Sequence, residues 1–285
     1  MTSNPTTTRS RVRGVKLVSR GEAASDGAGV RLTRMLGNRD LPQLDPFLML
    51  DQIRSDARDD YIAGFPEHPH RGFETVTIMI DGAMKHGDNK GHSGVIEAGG
   101  IQWMTAGRGI LHSEMPVMED GRLWGFQLWI NLPAASKMVE PSYQEFSAAG
   151  IPHVDFTGGT VRVLAGTLSS GLEGPARSAA TDPLLLDITL APGATFEEPL
   201  PADRNAILAV YQGQVEVAGT AVHDPDLAVL DEGDLVRVVA GAEGARLLLI
   251  AARPLNEPVA RYGPFVMNTP QEIQQAFADF QSGRF

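Results

Sequence analysis

His68-Pro69-His70 and His112-Ser113-Glu114 place three imidazoles and a carboxylate at two-residue spacings in a chain with seven histidines and no cysteine. On a β-strand, residues two apart share a face, so each pattern aims both of its side chains at one point. Two such strands facing each other across a barrel make a three-histidine, one-carboxylate metal site. The segment from Arg71 to Leu111 is long enough for several strands and turns, so the fold must bring the two pairs together. A centre built from His68, His70, His112 and Glu114 is the first expectation. Without thiolates in the chain, nitrogen and oxygen must hold the metal.

An isolated histidine in a strand is more often a satisfied polar group than a ligand, and His153 and His223 keep that reading. His86 and His92 fall in a stretch from Lys85 to Gly94 that reads as a solvated loop, with covering the barrel mouth as its functional alternative. Glu74 competes with Glu114 for the fourth ligand position, because it follows His70 by four residues and keeps the strand parity of both histidines. Glu114 has the shorter link to a neighbouring ligand. In that reading Glu74 holds a histidine ring or a structural arginine.

The elements that must position these residues are strands. Of the 285 residues 42% are hydrophobic and 21% charged, and the abundant glycine and proline favour many short strands joined by turns. At about 150 residues per domain the length suggests two β-rich domains. The net charge of −11 would repel a phosphate backbone and argues against direct nucleic-acid binding. No apolar run approaches the roughly 20 residues of a membrane span, and the most concentrated one, Leu247 to Ala252, has strand length. The start lacks the apolar core of a secretory signal, and no disulfide is possible, so a cytoplasmic location is expected. Arg9, Arg11, Arg13, Lys16 and Arg20 precede the first acidic residue, Glu22. They read as part of a tail and an opening strand at Val15 and Leu17, not as a targeting segment.

Along the chain, residues 1–10 read as a mobile tail and 11–131 as the metal-binding domain. Within it, strands are expected at Thr75–Ile80 and Ile101–Thr105, with a hairpin signal at Asp81-Gly82. Residues 132–144 read as a connector. A second β domain, 145–285, is expected to hold strands at Val161–Leu164, Leu184–Leu190, Ala206–Tyr211, Gln214–Val217, Leu235–Val239 and Arg246–Ala252. Thr269-Pro270-Gln271-Glu272 is a capping-box signature that opens a helix over 270–283, with Ile273, Ala276, Phe277 and Phe280 on one face and Gly283 as a stop. Such a helix packs on its own protein or, in the alternative, docks a partner.

The two domains read as degenerate copies of one unit. Gly82, Gly99-Gly100 and Gly109 recur in order as Gly213, Gly233 and Gly244. That register sets Pro199 and Pro201 at the positions of His68 and His70, and Leu247 and Leu249 at those of His112 and Glu114. One copy then carries a loaded metal site and the other is structural.

The runs LPQLDPFLMLDQ, FPEHPHRGFETV, GIQWMTAGRGILHSEMP, NLPAASKMVEPSYQEF and NTPQEIQQAFADFQSGRF resemble the pirin family of the cupin superfamily, from about residue 12 to the end. The resemblance implies an all-β bicupin of two stacked antiparallel jelly-roll barrels, with a metal-free second barrel and a short C-terminal helix packed on the body. It implies one iron(II) ion on His68, His70, His112 and Glu114, which favours Glu114 over Glu74. Gly107 departs from the broader cupin pattern, where proline is common, but agrees with the pirin version.

Three neutral imidazoles and one carboxylate leave a divalent ion with a net charge of about +1 and, if octahedral, two open positions. Nickel, cobalt, manganese or zinc could occupy the same ligands. Some pirin-family members are similar in activity to flavonol dioxygenases, oxidoreductases that open the central ring of quercetin with O2 and release carbon monoxide. By that resemblance Glu114 is the general base for the 3-hydroxyl. Phe65, Phe73, Trp103 and Met104 are candidates for the walls of a pocket for a small planar aromatic substrate. The alternative reading is a metal-dependent protein-interaction or redox-responsive regulator, since relatives are implicated in binding transcription factors or metabolic enzymes. A monomer is expected.

Overall fold

The computed structural model describes residues 10–117 and 121–285, so the tail expected over 1–10 lies, apart from Ser10, outside the described residues. The first half of the chain forms β1 (Val15–Ser19), β2 (Glu22–Asp26), β3 (Val30–Leu36), β4 (Phe47–Ser55), β5 (Phe65–His70) and β6 (Phe73–Asp81). It continues with β7 (Ala83–Asp88), β8 (Ser93–Glu97), β9 (Ile101–Thr105), β10 (Ile110–Pro116), β11 (Leu123–Asn131) and β12 (Ser142–Phe146). The second half forms β13 (His153–Phe156), β14 (Gly159–Ala165), β15 (Leu184–Leu190), β16 (Thr195–Pro199) and β17 (Asn205–Val217). After these come β18 (Thr220–His223), β19 (Leu227–Leu230), β20 (Leu235–Ala252), β21 (Ala260–Tyr262), β22 (Phe265–Met267) and the helix α1 (Pro270–Gln281).

Two antiparallel barrels result. The first is a seven-stranded sheet in the order β12-β9-β6-β11-β4-β3-β2 facing a four-stranded sheet β5-β10-β7-β8. The second is a nine-stranded sheet running β1-β19-β17-β20-β15-β14-β13, with β16 on β20 and β18 on β17.

Strands at the centre are apolar on both faces because both faces are covered. Val76 and Ile78 of β6 and Phe126 and Leu128 of β11 join Ile207, Tyr211, Leu248 and Ile250 in one core shared by the barrels. Their neighbours Thr77, Met79, Gln127 and Trp129 turn into the first barrel and line its cavity. In the second barrel Leu247 and Leu249 point inward and fill it, with Val163, Leu186, Val236 and Val238.

Three sequence expectations change here. Asp81-Gly82 is not a hairpin: β6 pairs with β9 and β11, whereas β7 pairs with β8 and β10. A single residue between strands is too short to reverse the chain, so Gly82, at φ 81°, turns it through a corner from one sheet to the other. Likewise Ala206–Tyr211 and Gln214–Val217 are two arms of β17 around Gly213, and Leu235–Val239 and Arg246–Ala252 are two arms of β20. Sheet membership also crosses the boundaries at 131 and 144. β1 pairs with β19 of the second barrel, and β12, which begins inside the expected connector, pairs with β9 of the first. Alternating polarity identifies a strand without naming its neighbour, and each half lends the other an edge strand.

The terminal helix forms as its capping box dictates. The Thr269 side chain accepts from Glu272 N–H while the Glu272 carboxylate accepts from Thr269 N–H, and Ile273 and Ala276 are buried. The helix lies on its own protein, in a cluster with Phe265, Met267, Phe277, Phe280 and Leu111. Leu111 sits between Ile110 and His112, so α1 braces the outer face of a ligand strand. Arg71, buried next to His70, adds a tie: its Nη1 donates to Asp279 at 2.8 Å and its Nε donates to the Arg108 carbonyl.

Candidate metal centre

β5 is the edge strand of its sheet, which lets it carry Pro66 and Pro69 without losing ladder hydrogen bonds. Its two-residue period turns His68 and His70 to the same side. Antiparallel pairing with β10 sets His112 opposite His68 and Ile110 opposite His70. The three rings converge, with centroids 4.7 Å (His68 to His70), 4.4 Å (His68 to His112) and 5.0 Å (His70 to His112) apart. One nitrogen from each lies within 4.8 Å of the others.

The protonation pattern suits metal binding. His68 Nδ1 lies 2.9 Å from the Pro66 carbonyl, so it carries the proton and leaves Nε2, 3.0 Å from His70 Nε2, with its lone pair. Both ring nitrogens of His112 and Nδ1 of His70 are buried without a partner among the described residues. Buried polar atoms are normally satisfied, and an unpartnered His112 nitrogen beside the facing Nε2 atoms of His68 and His70 fits a divalent ion. Burial, with the other histidines close by, holds His70 and His112 well below the usual imidazole value of 6.5. Both are therefore neutral near pH 7 and able to ligate.

This depression has a measurable consequence in metal-free protein. Below about 6.5 the unfolded chain takes up protons that the folded chain refuses, so the stability is complete above that pH and is lost as pH falls. The unfolding temperature should fall between about pH 7 and pH 5, and the fall should shrink in the His70→Asn, His112→Asn protein. An equal fall in both proteins would contradict neutral buried rings.

Glu114 shares the inner face of β10 and is 4% exposed, but its carboxylate lies outside the triad. A register shift between His112 and Glu114 sets Glu114 opposite Phe65. Oε1 lies 3.0 Å from Thr77 Oγ1, and Oε2 accepts from Gln127 Nε2 at 2.9 Å. Thr77 Oγ1 is also 2.8 Å from Gln127 Oε1. One hydroxyl proton serves one acceptor at a time, so a proton on Glu114 Oε1 could be donated to Thr77 while Thr77 donates to Gln127.

Glu74 does not hold a histidine ring or an arginine. It faces the second half of the chain, and Thr105 Oγ1 of β9 and Ser178 Oγ each donate to its carboxylate at 2.8 Å. Parity carried from His70 fails because the chain turns at Gly72, at φ 86°, where a Cβ would lie 1.9 Å from the Val266 carbonyl. His86 is not in a solvated loop either: it is buried on β7 and bonded through Nε2 to Glu145 at 2.7 Å. His92 is exposed and bonded to Asp88. His153 and His223 are exposed on second-barrel strands.

His68 and His70 of the triad, with Glu114, line a cavity of about 590 Å³. Phe65 lines it, and Phe73 packs edge-on against His70 at 4.9 Å. Trp103 belongs instead to the shared core, and Met104 packs with Ala106, Ile110 and Tyr143. Sequence reasoning missed Trp129, whose ring is 5.1 Å from His70, together with Thr77 and Gln127. A glutamine inside the run Phe126–Ile130 was the available signal, since a polar residue in a strand buried on both faces must serve a polar interior.

The internal comparison also needs correcting. In the second barrel β16 pairs with the first arm of β20, as β5 pairs with β10, and its inward residues are Glu198 and Phe196 opposite Val236 and Val238. Strand pairing thus sets Val236 and Val238, not Leu247 and Leu249, at the positions of His112 and Glu114. Glu198 and Leu200 replace Pro199 and Pro201 as counterparts of His68 and His70. The glycine register slipped because Gly233, three residues before Val236, corresponds to Gly109. Glu198 is the one counterpart able to ligate, and it is spent on Ser169 N–H at 2.6 Å and Ser169 Oγ at 3.1 Å.

Fold and site define a bicupin with a histidine triad in its first barrel. Residues 29–130 match the Pirin family model and 185–285 the Pirin C-terminal cupin domain. The chain belongs to the pirin family. It is 54% identical to a pirin-like protein of Caulobacter vibrioides, over 96% of this chain and 99% of that one. It is 42% identical to the pirin of Homo sapiens, over 91% and 89%. Among solved structures it resembles quercetin 2,3-dioxygenase from Acinetobacter baumannii, with a TM-score of 0.88 and 34% identity over 96% of this chain and 99% of that one.

Proposed function

We propose that this chain is a metal-dependent dioxygenase that opens the central ring of flavonols such as quercetin with O2. The observation that carries the reading is the convergence of three imidazoles, two of them held neutral by burial, on a cavity that also contains Glu114 and planar walls. Likeness to a quercetin 2,3-dioxygenase over nearly the whole chain supports it.

His68, His70 and His112 would hold one divalent ion, iron(II) in this proposal, with Glu114 as the fourth ligand when its carboxylate turns from Gln127. Such an ion supplies Lewis acidity toward a substrate oxygen and an open position for O2. Glu114 takes the proton of the flavonol 3-hydroxyl and keeps it at Oε1, where Thr77 Oγ1 can accept the new O–H. Before that turn Gln127 Nε2 holds the other carboxylate oxygen. Phe65 and Trp129 line the cavity as aromatic walls and keep water from the reacting carbons.

The reading is tested by loading the protein anaerobically with iron(II) and measuring O2 uptake and carbon monoxide release. Quercetin should give both. Its analogue lacking the 3-hydroxyl should give neither, because it offers no oxyanion and no proton for Glu114 to remove. Carbon monoxide that does not depend on metal, or none from quercetin, would refute the proposal.

A further inference from the structure

The cavity wall contains two guanidiniums whose hydrogen bonding is unequal. Arg34 is committed: its Nε and Nη2 donate to Asp51 at 2.8 and 2.7 Å, and Nη2 also reaches Asp26 at 3.1 Å. The remaining Asp26 oxygen accepts from Gly27 N–H at 2.8 Å. Every oxygen of these two carboxylates is thus occupied without Arg261. Arg261 makes one hydrogen bond, from Nη1 to the Leu48 carbonyl at 3.2 Å, and has no ion-pair partner among the described residues. Nε and Nη2 have no acceptor there.

Arg261 comes from β21, in the second half of the chain, yet it lines the first barrel's cavity together with Gly263 and Pro264. Its guanidinium lies 4.9 Å from the centroid of Trp129, an indole that also packs on Phe73 at 4.3 Å and meets His70 edge-on at 5.1 Å. Trp129, which lines the cavity, therefore stands between the triad and a cation with unspent donors. Arg261 is exposed at the cavity rim, where Arg34 adds like charge and Asp51 and Asp26 partly offset it. An anionic oxygen would take up the free Nε and Nη2 donors, and a guanidinium fork matches a carboxylate in shape.

We infer that Arg261 selects the charge of the ligand: the site takes planar hydroxylated aromatic acids that lie along Trp129 with the hydroxyl toward the triad and an ionised group on Arg261. This rests on the triad being the reacting end of the cavity, but not on any particular oxidation.

The test uses 6-hydroxy-2-naphthoate and 6-hydroxy-2-naphthamide, which share rings and hydroxyl and differ in charge at one end. Calorimetric titration is made into metal-free and zinc-loaded protein, where no turnover intrudes. Wild-type protein should bind the acid about tenfold more tightly than the amide in both forms. In Arg261→Gln the preference should fall to within about twofold while amide affinity stays unchanged, which also shows that the variant is folded. Arg261→Lys should keep part of the preference. Equal binding of acid and amide by wild-type protein would overturn the inference. So would a full preference surviving in Arg261→Gln, which would assign the carboxylate to the metal. Charge selection without carbon monoxide release from quercetin would leave Arg261 in place and remove only the flavonol reaction.

Discussion

Protein loaded with iron(II) or cobalt(II) should hold about one ion per chain, and the His68→Ala, His112→Ala protein should hold almost none. The two rings face each other across the β5–β10 ladder, so their removal takes a ligand from each strand and leaves His70 as the one imidazole of the site, with Glu114 as its only proposed companion. The second barrel offers no substitute. Two of its inward counterparts are valines in an apolar interior, and Glu198 already accepts two hydrogen bonds from Ser169. Substitution of the exposed His153 or His223 should leave metal content unchanged. Two equivalents of similar affinity in elemental analysis, or full content in the double variant, would contradict a single centre.

Glu114→Gln should lower turnover by about 10²- to 10⁴-fold, the usual contribution of a positioned proton acceptor. The substitution keeps the shape but removes the basic oxygen, and it points an amide at Thr77 and Gln127 where a carboxylate stood. Glu74→Gln should leave turnover within a few-fold and instead cost about 1–3 kcal/mol of stability, because at this buried position a hydroxyl of Thr105 or Ser178 loses its carboxylate acceptor and meets an amide N–H₂. Steady-state rates with parallel thermal unfolding separate the two. A rate collapse in Glu74→Gln with Glu114→Gln unaffected would reverse the assignment.

What the sequence revealed depended on how far each inference had to travel along the chain. His68 and His70 lie on one strand and His112 and Glu114 on another, and within a strand a period of two is dependable. Glu74 was misplaced by carrying that period across the turn at Gly72, which resets the parity. The same difficulty affects Asp81-Gly82, whose composition promises positive φ but does not say whether the chain reverses or crosses to another sheet. Neighbours of a strand were illegible for a related reason: Val15 and Leu17 announce β1, yet its partner is β19, more than two hundred residues away. Thr77, Gln127 and Trp129 belong to strands apolar on both faces, where hydrophobic periodicity is too weak to separate a cavity face from a core face. The helix was legible almost to the residue because Thr269, Pro270, Glu272 and Gly283 act locally.

The most direct test of a dioxygenase centred on this triad is turnover of quercetin under ¹⁸O₂, with mass analysis of both products. Ring opening breaks the two bonds to the carbon bearing the 3-hydroxyl, and that carbon leaves as carbon monoxide with its own oxygen. The two atoms of O2 must then end on the flanking carbons. The expected result is two ¹⁸O atoms in the ring-opened product, none in the carbon monoxide, and loss of both products when His68 and His112 are replaced. A product with a single ¹⁸O, label taken from water, or undiminished turnover in the histidine variant would contradict it.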